Sequence, residues 1–459
     1  MSESQHLQGI AQIFKKHKKD VFAVGGYVRN KILNIENPKD DDVDICSAVV
    51  PEELKNLFKK TVYVVKDKSK GLGVCTIECD GFRCEHATFR KEKYEIPGEH
   101  TPSVIEFTDD LFEDCKRRDF TINCIYMNLN TGDIVDPFGG IKDLKNKIIK
   151  TIMTPAYVFN NDGIRLMRLI RFASVLGFDI DEETMNSAQR NNFRLGLVSK
   201  SLIKKEFDKM LVADTFYPML PKTKSAHLRA MTLLGTLDLW QYVLPIISIL
   251  KNTAIQTFRK PETVYEHSLR AMFYAPPKLR LAALVHDIGM LHPKMRSKSE
   301  KNMAKYSAEL LERAMEYSGL GYAEDFVSRT AKIIELTGYD MDKKVKSKAL
   351  RALILEYRPI IEDVINLKIA TIKAITHQLD LSETGCSLQK EFAKMVECGI
   401  PTKVPELAIS GDYLIEAFPY LPRRQIASTL NTLLNYVVFK NYANTEEVLM
   451  KLCKKLIKE

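Results

Sequence analysis

Two aspartates separated by one apolar residue, Asp42 and Asp44, are the clearest candidates for chemistry in the sequence. Acidic and apolar residues alternate here with the period of a β-strand, so both carboxylates face one side while Val43 and Ile45 face the other. Adjacent carboxylates repel each other and stay ionised together when a cation lies between them, and Mg²⁺ prefers such oxygen ligands. The spacing therefore predicts a metal site where a strand begins. The alternative is a solvated turn, because four of the five residues at 40–44 are aspartates.

A glycine pair, Gly25 and Gly26, precedes the aspartates and separates an apolar run at 21–24 from a segment with helical spacing. We predict a strand, a tight turn and a helix. Glycines let the backbone approach a phosphate, a helix N-terminus offers N–H groups to it, and Arg29 adds a positive charge. A glycine pair in this position can also be an ordinary turn, so the prediction of phosphate binding depends on the aspartates that follow.

The apolar pattern divides the chain into a short mixed part and a long helical part. Residues 1–130 alternate short apolar runs with Gly, Asp and Pro, which predicts strands joined by short helices. From about Ala156 the spacing is helical to the end. We therefore predict an α+β fold in which an N-terminal α/β head is followed by all-helical segments. The predicted parts are a head at 1–140, a neck at 141–215, a body at 216–400 and a tail at 401–459.

Composition narrows the class of protein. The 459 residues include 68 Lys plus Arg and 59 Asp plus Glu, a net charge of +9 that permits a polyanionic partner. We expect a cytoplasmic protein, because no apolar run is long enough to span a bilayer and the start lacks the apolar stretch of a secretory signal. The nine cysteines, with no C-x-x-C pairing among Cys75, Cys79 and Cys84, predict reduced thiols and neither a disulfide framework nor a zinc site.

A basic excess follows the head. Between Ile141 and Arg171, seven basic residues stand against two acidic ones. Arg165, Arg168 and Arg171 recur every three residues and so line one side of a helix, where they can bind the phosphates of a nucleotide and of RNA. The alternative is a solvated basic face. The last stretch, 450–458, is a basic amphipathic helix that either touches RNA or closes the body.

Further motifs follow the glycine pair and the aspartates in order. They read Glu85-His-Ala-Thr-Phe-Arg90, Arg117-Arg-Asp-Phe-Thr-Ile-Asn123, Asp136-Pro-Phe-Gly-Gly140, and Asn161-Asp-Gly-Ile-Arg165 followed by Arg168 and Arg171. Together they resemble the branch of the nucleotidyltransferase superfamily that holds the class II (bacterial-type) tRNA CCA-adding enzymes and the bacterial poly(A) polymerases. The similarity is dense over about residues 20–215 and thins afterwards.

The resemblance implies a role for each matching residue. Asp42 and Asp44 would be catalytic and hold Mg²⁺, and Glu85 is a candidate third carboxylate beside the metal. The implied nucleotide-binding residues are Gly25, Gly26, Arg29, Arg117, Arg118, Asp119, Asp162, Arg165, Arg168 and Arg171. Asp162 and Arg165 match the positions that read the Watson–Crick edge of CTP or ATP, because Asp accepts from the exocyclic amine and Arg donates to a ring nitrogen or carbonyl. Because Asp162 and Arg165 are three residues apart, we expect both side chains on one face of a helix.

The implied reaction is attack of a tRNA 3′-hydroxyl on the α-phosphate of CTP or ATP, with Mg²⁺, without a nucleic-acid template and with release of pyrophosphate. It adds C, C and A to tRNA. Addition of CC only or A only stays open, because Glu99 replaces the arginine of the family's flexible loop. Asn161 replaces the usual Glu before Asp162. A poly(A) polymerase is the nearest alternative, disfavoured because residues 117–123 have the form typical of CCA-adding members; the intact aspartates disfavour a non-catalytic RNA binder.

A second resemblance lies in the helical half. His267, His286 and Asp287 match ligands of the HD metal phosphohydrolase domain, over about residues 262–380. Thr371 stands where the last metal-binding Asp is expected, so we favour a degenerate HD domain kept as a tRNA-binding scaffold. His292, close by in the sequence, is either a substitute ligand or a loop histidine, and we favour the loop histidine. The alternative from a different class of enzyme is an HD phosphohydrolase with a vestigial head.

Overall fold

The structure, a computed structural model, describes residues 2–35, 43–96, 98, 100–220, 223–256, 261–294, 300–339, 345–376 and 387–458. The chain divides into two compact units. The first unit comprises Met1–Ser248 with Ser318–Gly321, and the second comprises Ile249–Tyr317 with Tyr322–Glu459. The finer division into head, neck, body and tail stays a prediction.

Strands and short helices alternate through the first 150 residues, as the apolar runs predict. The strands are β1 (Phe22–Val24), β2 (Val43–Ser47), β3 (Val64–Ser69), β4 (Val74–Cys79), β5 (Phe82–Thr88), β6 (Arg90–Lys93), β7 (Val104–Phe107), β8 (Tyr126–Asn128), β9 (Ile134–Val135) and β10 (Ile148–Ile149). The α-helices are α1 (Glu3–Lys16), α2 (Gly26–Ile32), α3 (Pro51–Phe58), α4 (Leu111–Lys116) and α5 (Gly140–Asn146).

Seven strands form one sheet in the order β3-β4-β5-β2-β1-β8-β9. Strand β2 runs antiparallel to β1 and parallel to β5. In the pairing of β2 with β5, Asp44 is the register partner of Glu85. Register partners point to the same face of a sheet, so these two acidic side chains lie side by side.

Apolar side chains cover both faces of this sheet. Val43 and Ile45 lie in a buried cluster to which α1 and α3 contribute. Cys46 lies in a second cluster, with Tyr126. This is the alternation that the sequence predicts for β2, and it leaves Asp44 on the same face as Cys46.

From Pro155 onward the chain is mostly helical, which confirms the predicted α+β fold with an α/β head and helices after it. The elements up to residue 250 are α6 (Pro155–Asn161), α7 (Ile164–Leu176), β11 (Asp179–Ile180), α8 (Glu182–Arg190), α9 (Lys200–Leu211), α10 (Ala226–Thr236), α11 (Trp240–Val243) and α12 (Ile246–Leu250). Strand β11 pairs in parallel with β10.

The rest of the chain continues in the same way. Its elements are β12 (Ala254–Gln256), β13 (Pro261–Thr263), α13 (Val264–Tyr274), α14 (Arg280–Val285), α15 (Glu300–Ser318), α16 (Glu324–Thr337), α17 (Ser347–Glu356), α18 (Ile361–Thr376), α19 (Ser387–Glu397), α20 (Gly411–Ala417), α21 (Arg423–Lys440) and α22 (Glu446–Lys458). Short 3₁₀ turns occur at Lys70–Leu72, Thr121–Asn123, Asn192–Leu197, Ala213–Thr215, Pro277–Leu279, Ile288–Leu291 and Val404–Glu406.

Two predictions from composition can be compared with the structure. Cys75, Cys79 and Cys84 are buried free thiols in β4 and β5. Within the described ranges, none of the helices has the length and apolar character needed to cross a membrane.

Truncation of a core side chain of the sheet should destabilise the first unit. Ile45 is fully buried, whereas Ile134 on β9 is 42% exposed, so the two positions form a matched pair. We expect Ile45→Ala to lower the free energy of unfolding by about 2–5 kcal/mol, and Ile134→Ala by less than about 1 kcal/mol. Urea unfolding followed by the fluorescence of Trp240, the one tryptophan of the chain, measures both. Equal losses would contradict the assignment of Ile45 to the core.

Candidate active site

One cavity of about 580 Å³ in the first unit collects the side chains that the sequence singled out. Ten Lys and Arg side chains and six carboxylates line it. The predicted site residues among its walls are Gly25, Gly26, Arg29, Asp44, Glu85, Arg117, Arg118, Asp119, Asp162, Arg165, Arg168 and Arg171. Asp42 and Glu99 lie outside the described residues. The structure therefore brings together all the predicted metal- and nucleotide-binding residues of the first unit that it describes.

The acidic end of the cavity is formed by two neighbouring strands. Asp44 on β2 and Glu85 on β5 both line the cavity. Glu85 is ion-paired with Lys68 on β3. Carboxylate oxygens held on adjacent strands are the ligands that a hard divalent cation takes, so this donor set fits such an ion.

The glycine turn lies next to this acidic end. The backbone of Gly25 has φ +74°, a conformation that residues with a side chain rarely adopt. A Cβ atom at this position would lie 3.7 Å from Oδ2 of Asp44. A Cβ atom on Gly26 would stand 3.7 Å from Nη2 of Arg29. The two glycines therefore keep the space beside Asp44 and Arg29 open. The strand, turn and helix are those predicted.

Arg29 is 3% exposed although it lines the cavity. Its Nη1 donates to Oδ1 of Asn123 at 2.7 Å, and its Nη2 donates to the hydroxyl of Tyr217 at 2.8 Å. Its Nε donates to Oδ1 of Asn30 at 3.3 Å. The guanidinium group is thus fixed in one orientation by its neighbour Asn30 and by two partners distant in sequence, Asn123 and Tyr217. Tyr217 lies 188 residues from Arg29, so no local spacing in the sequence predicts this contact.

Arg117 and Arg118 converge on a carboxylate that sequence analysis missed. Asp114, on α4, is fully buried; its Oδ1 accepts from Nε of Arg117 at 2.8 Å and its Oδ2 accepts from Nη2 of Arg118 at 3.1 Å. Burial raises the pKa of Asp114, but the two guanidinium groups outweigh it and lower the pKa to about 2. The sequence spacing predicts this contact, because Asp114 precedes Arg117 by three residues and Arg118 by four, and side chains at these spacings lie on one face of a helix.

Asp119 joins the head to α7. Its Oδ2 accepts from Nε of Arg168 at 2.7 Å, and its Oδ1 accepts from Nδ2 of Asn123 at 3.2 Å. Burial raises the pKa of Asp119, and Arg168 more than offsets this, so the pKa lies below its ordinary value. Because Asn123 also accepts from Arg29, a chain of hydrogen bonds runs from Arg168 through Asp119 and Asn123 to Arg29.

Phe172, on α7, lies among three guanidinium groups. The Cζ atoms of Arg29 and Arg168 each lie 5.3 Å from the centre of its ring, and that of Arg171 lies 4.2 Å from it. Cation–π attraction stabilises this arrangement. Nε of Arg171 also donates to Oε2 of Glu206 on α9 at 2.5 Å. Glu206 lies 35 residues from Arg171, so no local spacing in the sequence predicts this pair.

Asp162 and Arg165 lie together, but the prediction that they share one helix was wrong. Helix α6 ends at Asn161, α7 begins at Ile164, and Asp162 between them has an extended backbone with φ −154° and ψ 109°. The physical reason is a side-chain cap, since Oδ1 of Asp162 accepts from the backbone N–H of Ile164 at 3.1 Å. Nε of Arg165 nevertheless lies 3.9 Å from Oδ2 of Asp162.

Asp162 and Arg165 have further partners. Nη1 of Arg165 donates to the carbonyl of Val158 at 3.1 Å, and its Nη2 donates to the carbonyl of Arg117. Nδ1 of His100 lies 3.0 Å from Oδ2 of Asp162. This hydrogen bond raises the pKa of His100. His100 is 62 residues from Asp162, and sequence analysis did not connect them.

A separate cluster of metal-ligating side chains lies in the second unit. His267 on α13, with His286 and Asp287 just after α14, each offer a ligand atom, and these atoms lie within 4.8 Å of one another. Nδ1 of His286 lies 2.8 Å from the carbonyl oxygen of Ala283, and its Nε2 lies 3.3 Å from Oδ2 of Asp287. Burial lowers the pKa of His267 to about 4, which keeps this imidazole in the neutral form that binds metals.

Thr371 and His292 are not among the ligands of that cluster. The hydroxyl of Thr371 donates to the carbonyl of Lys368 in its own helix at 2.8 Å. The ring of His292 stacks on Tyr306 with centroids 4.1 Å apart.

The chain is similar to known proteins in sequence over part of its length. Residues 21–150 match the model of the poly A polymerase head domain. The chain is 37% identical over 207 residues to the CCA-adding enzyme of Geobacillus sp. (strain WCH70), over 45% of this chain and 49% of that protein. It is 39% identical over 191 residues to the CCA-adding enzyme of Lactobacillus helveticus (strain DPC 4571), over 42% and 46%. These matches span about half the length of the curated relatives.

Solved structures share the fold of the chain. The Bacillus stearothermophilus CCA-adding enzyme in complex with CTP has a TM-score of 0.61 at 22% identity, over 100% of this chain and 98% of that one. The Thermotoga maritima CCA-adding enzyme complexed with tRNA has a TM-score of 0.54 at 18% identity, over 98% and 95%. These findings confirm the resemblance that the ordered motifs indicate: residues 21–150 match the poly A polymerase head domain, and the chain shares the fold of the CCA-adding enzymes.

Proposed function

We propose that the chain is a tRNA nucleotidyltransferase that adds C, C and A to the 3′ end of tRNA without a nucleic-acid template. CTP and ATP are the proposed substrates, and pyrophosphate is the second product. One observation carries the proposal: a single cavity combines acidic strand residues, a glycine turn with arginines, and the Asp162–Arg165 pair. The curated relatives, which are named CCA-adding enzymes and match 42–45% of this chain, support it.

The acidic end is the proposed metal site. Nucleotidyltransferases of this family typically use a divalent metal, and we propose Mg²⁺ held by Asp42 and Asp44, with Glu85 as a third carboxylate beside it. When bound, the ion would favour deprotonation of the attacking 3′-hydroxyl and neutralise charge on the leaving pyrophosphate.

The arginines are the proposed triphosphate site. The phosphates would lie against Gly25 and Gly26, with Arg29, Arg117 and Arg118 supplying positive charge. Because these side chains are already fixed by buried partners, little rotamer freedom remains to be lost on binding. Catalysis would rest on positioning and charge neutralisation, with no covalent enzyme intermediate.

The base is proposed to be selected by its Watson–Crick edge. Cytosine and adenine both place an exocyclic amine beside an acceptor ring nitrogen, so Asp162 can accept from the amine while Arg165 donates to the nitrogen. Uracil and guanine place a carbonyl oxygen beside a ring N–H and present the reverse pattern. Mismatched bases would leave both buried side chains unpaired.

The same head could serve a poly(A) polymerase, which would use ATP alone and add a run of A.

The proposed tRNA partner would contact the chain through its phosphates, with Arg168, Arg171 and the basic helix α22 as candidate contacts. A tRNA substrate agrees with the cytoplasmic location that we propose.

The direct test of the proposed function offers each labelled nucleoside triphosphate, with Mg²⁺, to the purified chain and tRNA lacking its CCA end. Incorporation of C and then one A supports the proposal; incorporation of A alone contradicts it.

A second candidate function is favoured by the cluster of His267, His286 and Asp287 in the second unit. Two imidazoles and a carboxylate fit a divalent transition metal, and such an ion could support phosphoester hydrolysis. Thr371 stands at the position expected for a further Asp, and its hydroxyl donates a hydrogen bond to the carbonyl of Lys368 in the same helix. We therefore propose that this is a degenerate HD domain that serves as a tRNA-binding scaffold.

Asp44→Asn should abolish nucleotide addition without preventing tRNA binding. The amide is a poor metal ligand, so we expect kcat for both C and A to fall by about 10³-fold or more, with tRNA affinity changed only a few-fold. Asp42→Asn should behave in the same way. Asp109→Asn, an exposed aspartate of the same unit that does not line the cavity, is the control. Near-normal turnover of Asp44→Asn would remove Asp44 from the site.

Asp162→Asn should relax base selection. The amide keeps an oxygen for the N–H of Ile164 but can present a donor to the carbonyl of uracil. We expect the ratio of kcat/KM for CTP to that for UTP to fall by about 5- to 150-fold, the equivalent of ~1–3 kcal/mol. The neighbouring Asn161→Ala should leave this ratio close to that of the wild type. An unchanged ratio in Asp162→Asn would mean that Asp162 only caps α7.

Asp287→Asn should leave nucleotide addition within about twofold of the wild type, because the proposed scaffold role needs no metal chemistry. The same variant, assayed on bis(p-nitrophenyl) phosphate with Mn²⁺, tests the second candidate function. Metal-dependent hydrolysis by the wild type that Asp287→Asn lacks would overturn the degenerate assignment. Loss of addition in a variant whose far-UV circular dichroism and thermal unfolding match the wild type would place the cluster in the main reaction.

A further inference from the structure

Arg29 differs from the other arginines of the cavity in the partners that hold it. Six cavity-lining arginines have a carboxylate oxygen within 3.9 Å, namely Arg90, Arg117, Arg118, Arg165, Arg168 and Arg171. Among the residues that the structure describes, Arg29 forms no such ion pair. Its hydrogen bonds go to the side chains of Asn30, Asn123 and Tyr217, which carry no charge. Because a guanidinium group is always charged in proteins, Arg29 is a buried cation held by neutral acceptors.

Tyr217 contacts the part of this guanidinium group that lies at the glycine turn. Its hydroxyl accepts from Nη2 of Arg29 at 2.8 Å, and its ring centre lies 5.9 Å from Cζ of Arg29. Nη2 is also the atom that would lie 3.7 Å from a Cβ atom on Gly26. The tyrosine hydroxyl therefore holds the nitrogen of Arg29 that is beside the turn.

The main chain around Tyr217 is itself anchored. Tyr217 is 3% exposed and follows α9 and the short 3₁₀ turn at Ala213–Thr215. Its carbonyl oxygen accepts from the hydroxyl of the buried Thr223 at 2.8 Å and from the N–H of Leu220 at 3.1 Å. A segment far from the glycine turn in sequence thus presents its hydroxyl to Arg29 from a fixed position.

We propose that Tyr217 is a positioning residue for the triphosphate: its hydroxyl holds Nη2 of Arg29 beside the glycine turn without neutralising the charge of the guanidinium group. The inference rests on the proposed function, in which the phosphates lie against Gly25 and Gly26. A carboxylate in place of the hydroxyl would also orient Arg29, but its negative charge would repel the phosphates. A neutral acceptor fixes the orientation and leaves the positive charge for the ligand.

The test is the affinity for inorganic tripolyphosphate in the presence of Mg²⁺, measured by titration calorimetry, because this ligand has phosphates and no base. Tyr217→Phe keeps the ring and removes only the hydroxyl, so we expect Kd to rise about 3- to 10-fold, the effect of one lost hydrogen bond. The ratio of kcat/KM for CTP to that for UTP should not change, because the base is proposed to be held by other residues. Tyr157→Phe is the control, since Tyr157 is 45% exposed and does not line the cavity.

A double-mutant cycle shows whether Tyr217 acts through Arg29. In an Arg29→Met background, Tyr217→Phe should leave the Kd for tripolyphosphate unchanged, because the hydroxyl then has no guanidinium group to hold. An unchanged Kd in Tyr217→Phe alone, or an equal rise in both backgrounds, would overturn the inference and leave the proposed function standing. Failure of Tyr217→Phe to fold would overturn it as well, because the hydroxyl would then serve the fold and not the ligand. A wild type that binds tripolyphosphate but adds neither C nor A would instead overturn the proposed function.

Discussion

Mutual repulsion between guanidinium groups is the constraint on which the architecture of this site depends. Seven arginines line one cavity, and two like charges about 4 Å apart repel by roughly 4 kcal/mol at an effective dielectric constant near 20. Buried carboxylates offset this repulsion. The pairs are Asp114 with Arg117 and Arg118, Asp119 with Arg168, and Glu206 with Arg171. Each acid fixes its arginine from one side and leaves the cation close to the cavity, where it can face an anionic ligand.

The same pairs tie together segments that are far apart in the sequence. Asp119 reaches Arg168 across 49 residues, and Arg171 reaches Glu206 across 35. A buried ion pair adds little net stability, but loss of one partner leaves an uncompensated charge that costs about 3–5 kcal/mol. The strands of the head and helices α7 and α9 therefore have to fold together for the arginines to be tolerated. Within the first unit, the same ion pairs both hold these segments together and place the arginines at the cavity.

The sequence predicts those parts of the site that depend on local periodicity. Alternation along β2 correctly separates Asp44 from Val43 and Ile45, and the glycine pair correctly marks the turn before α2. The boundary at Asp162 could not be predicted, because it depends on a side-chain cap and on backbone pairing with Gly98. Partners such as Tyr217 and His100 were missed for the same reason: their contacts are tertiary, and no spacing within an element encodes them. Asp114 differs, because its spacing of three and four residues from Arg117 and Arg118 is enough to predict the contact.

A helix junction suits a residue that selects a base better than the middle of a helix does. On a helix surface, a carboxylate can turn about two side-chain torsions and meet the base with either oxygen. At the break between α6 and α7, Oδ1 of Asp162 is bound to the N–H of Ile164, so the remaining oxygen has a restricted direction. Under the proposed function this rigidity has a further consequence. Because C and A share the same amine and ring-nitrogen pattern, a fixed Asp162–Arg165 pair accepts both and cannot by itself decide their order. The change from C to A would therefore have to come from the space that the growing RNA end leaves for a pyrimidine or a purine, while the hydrogen-bonding pair stays the same.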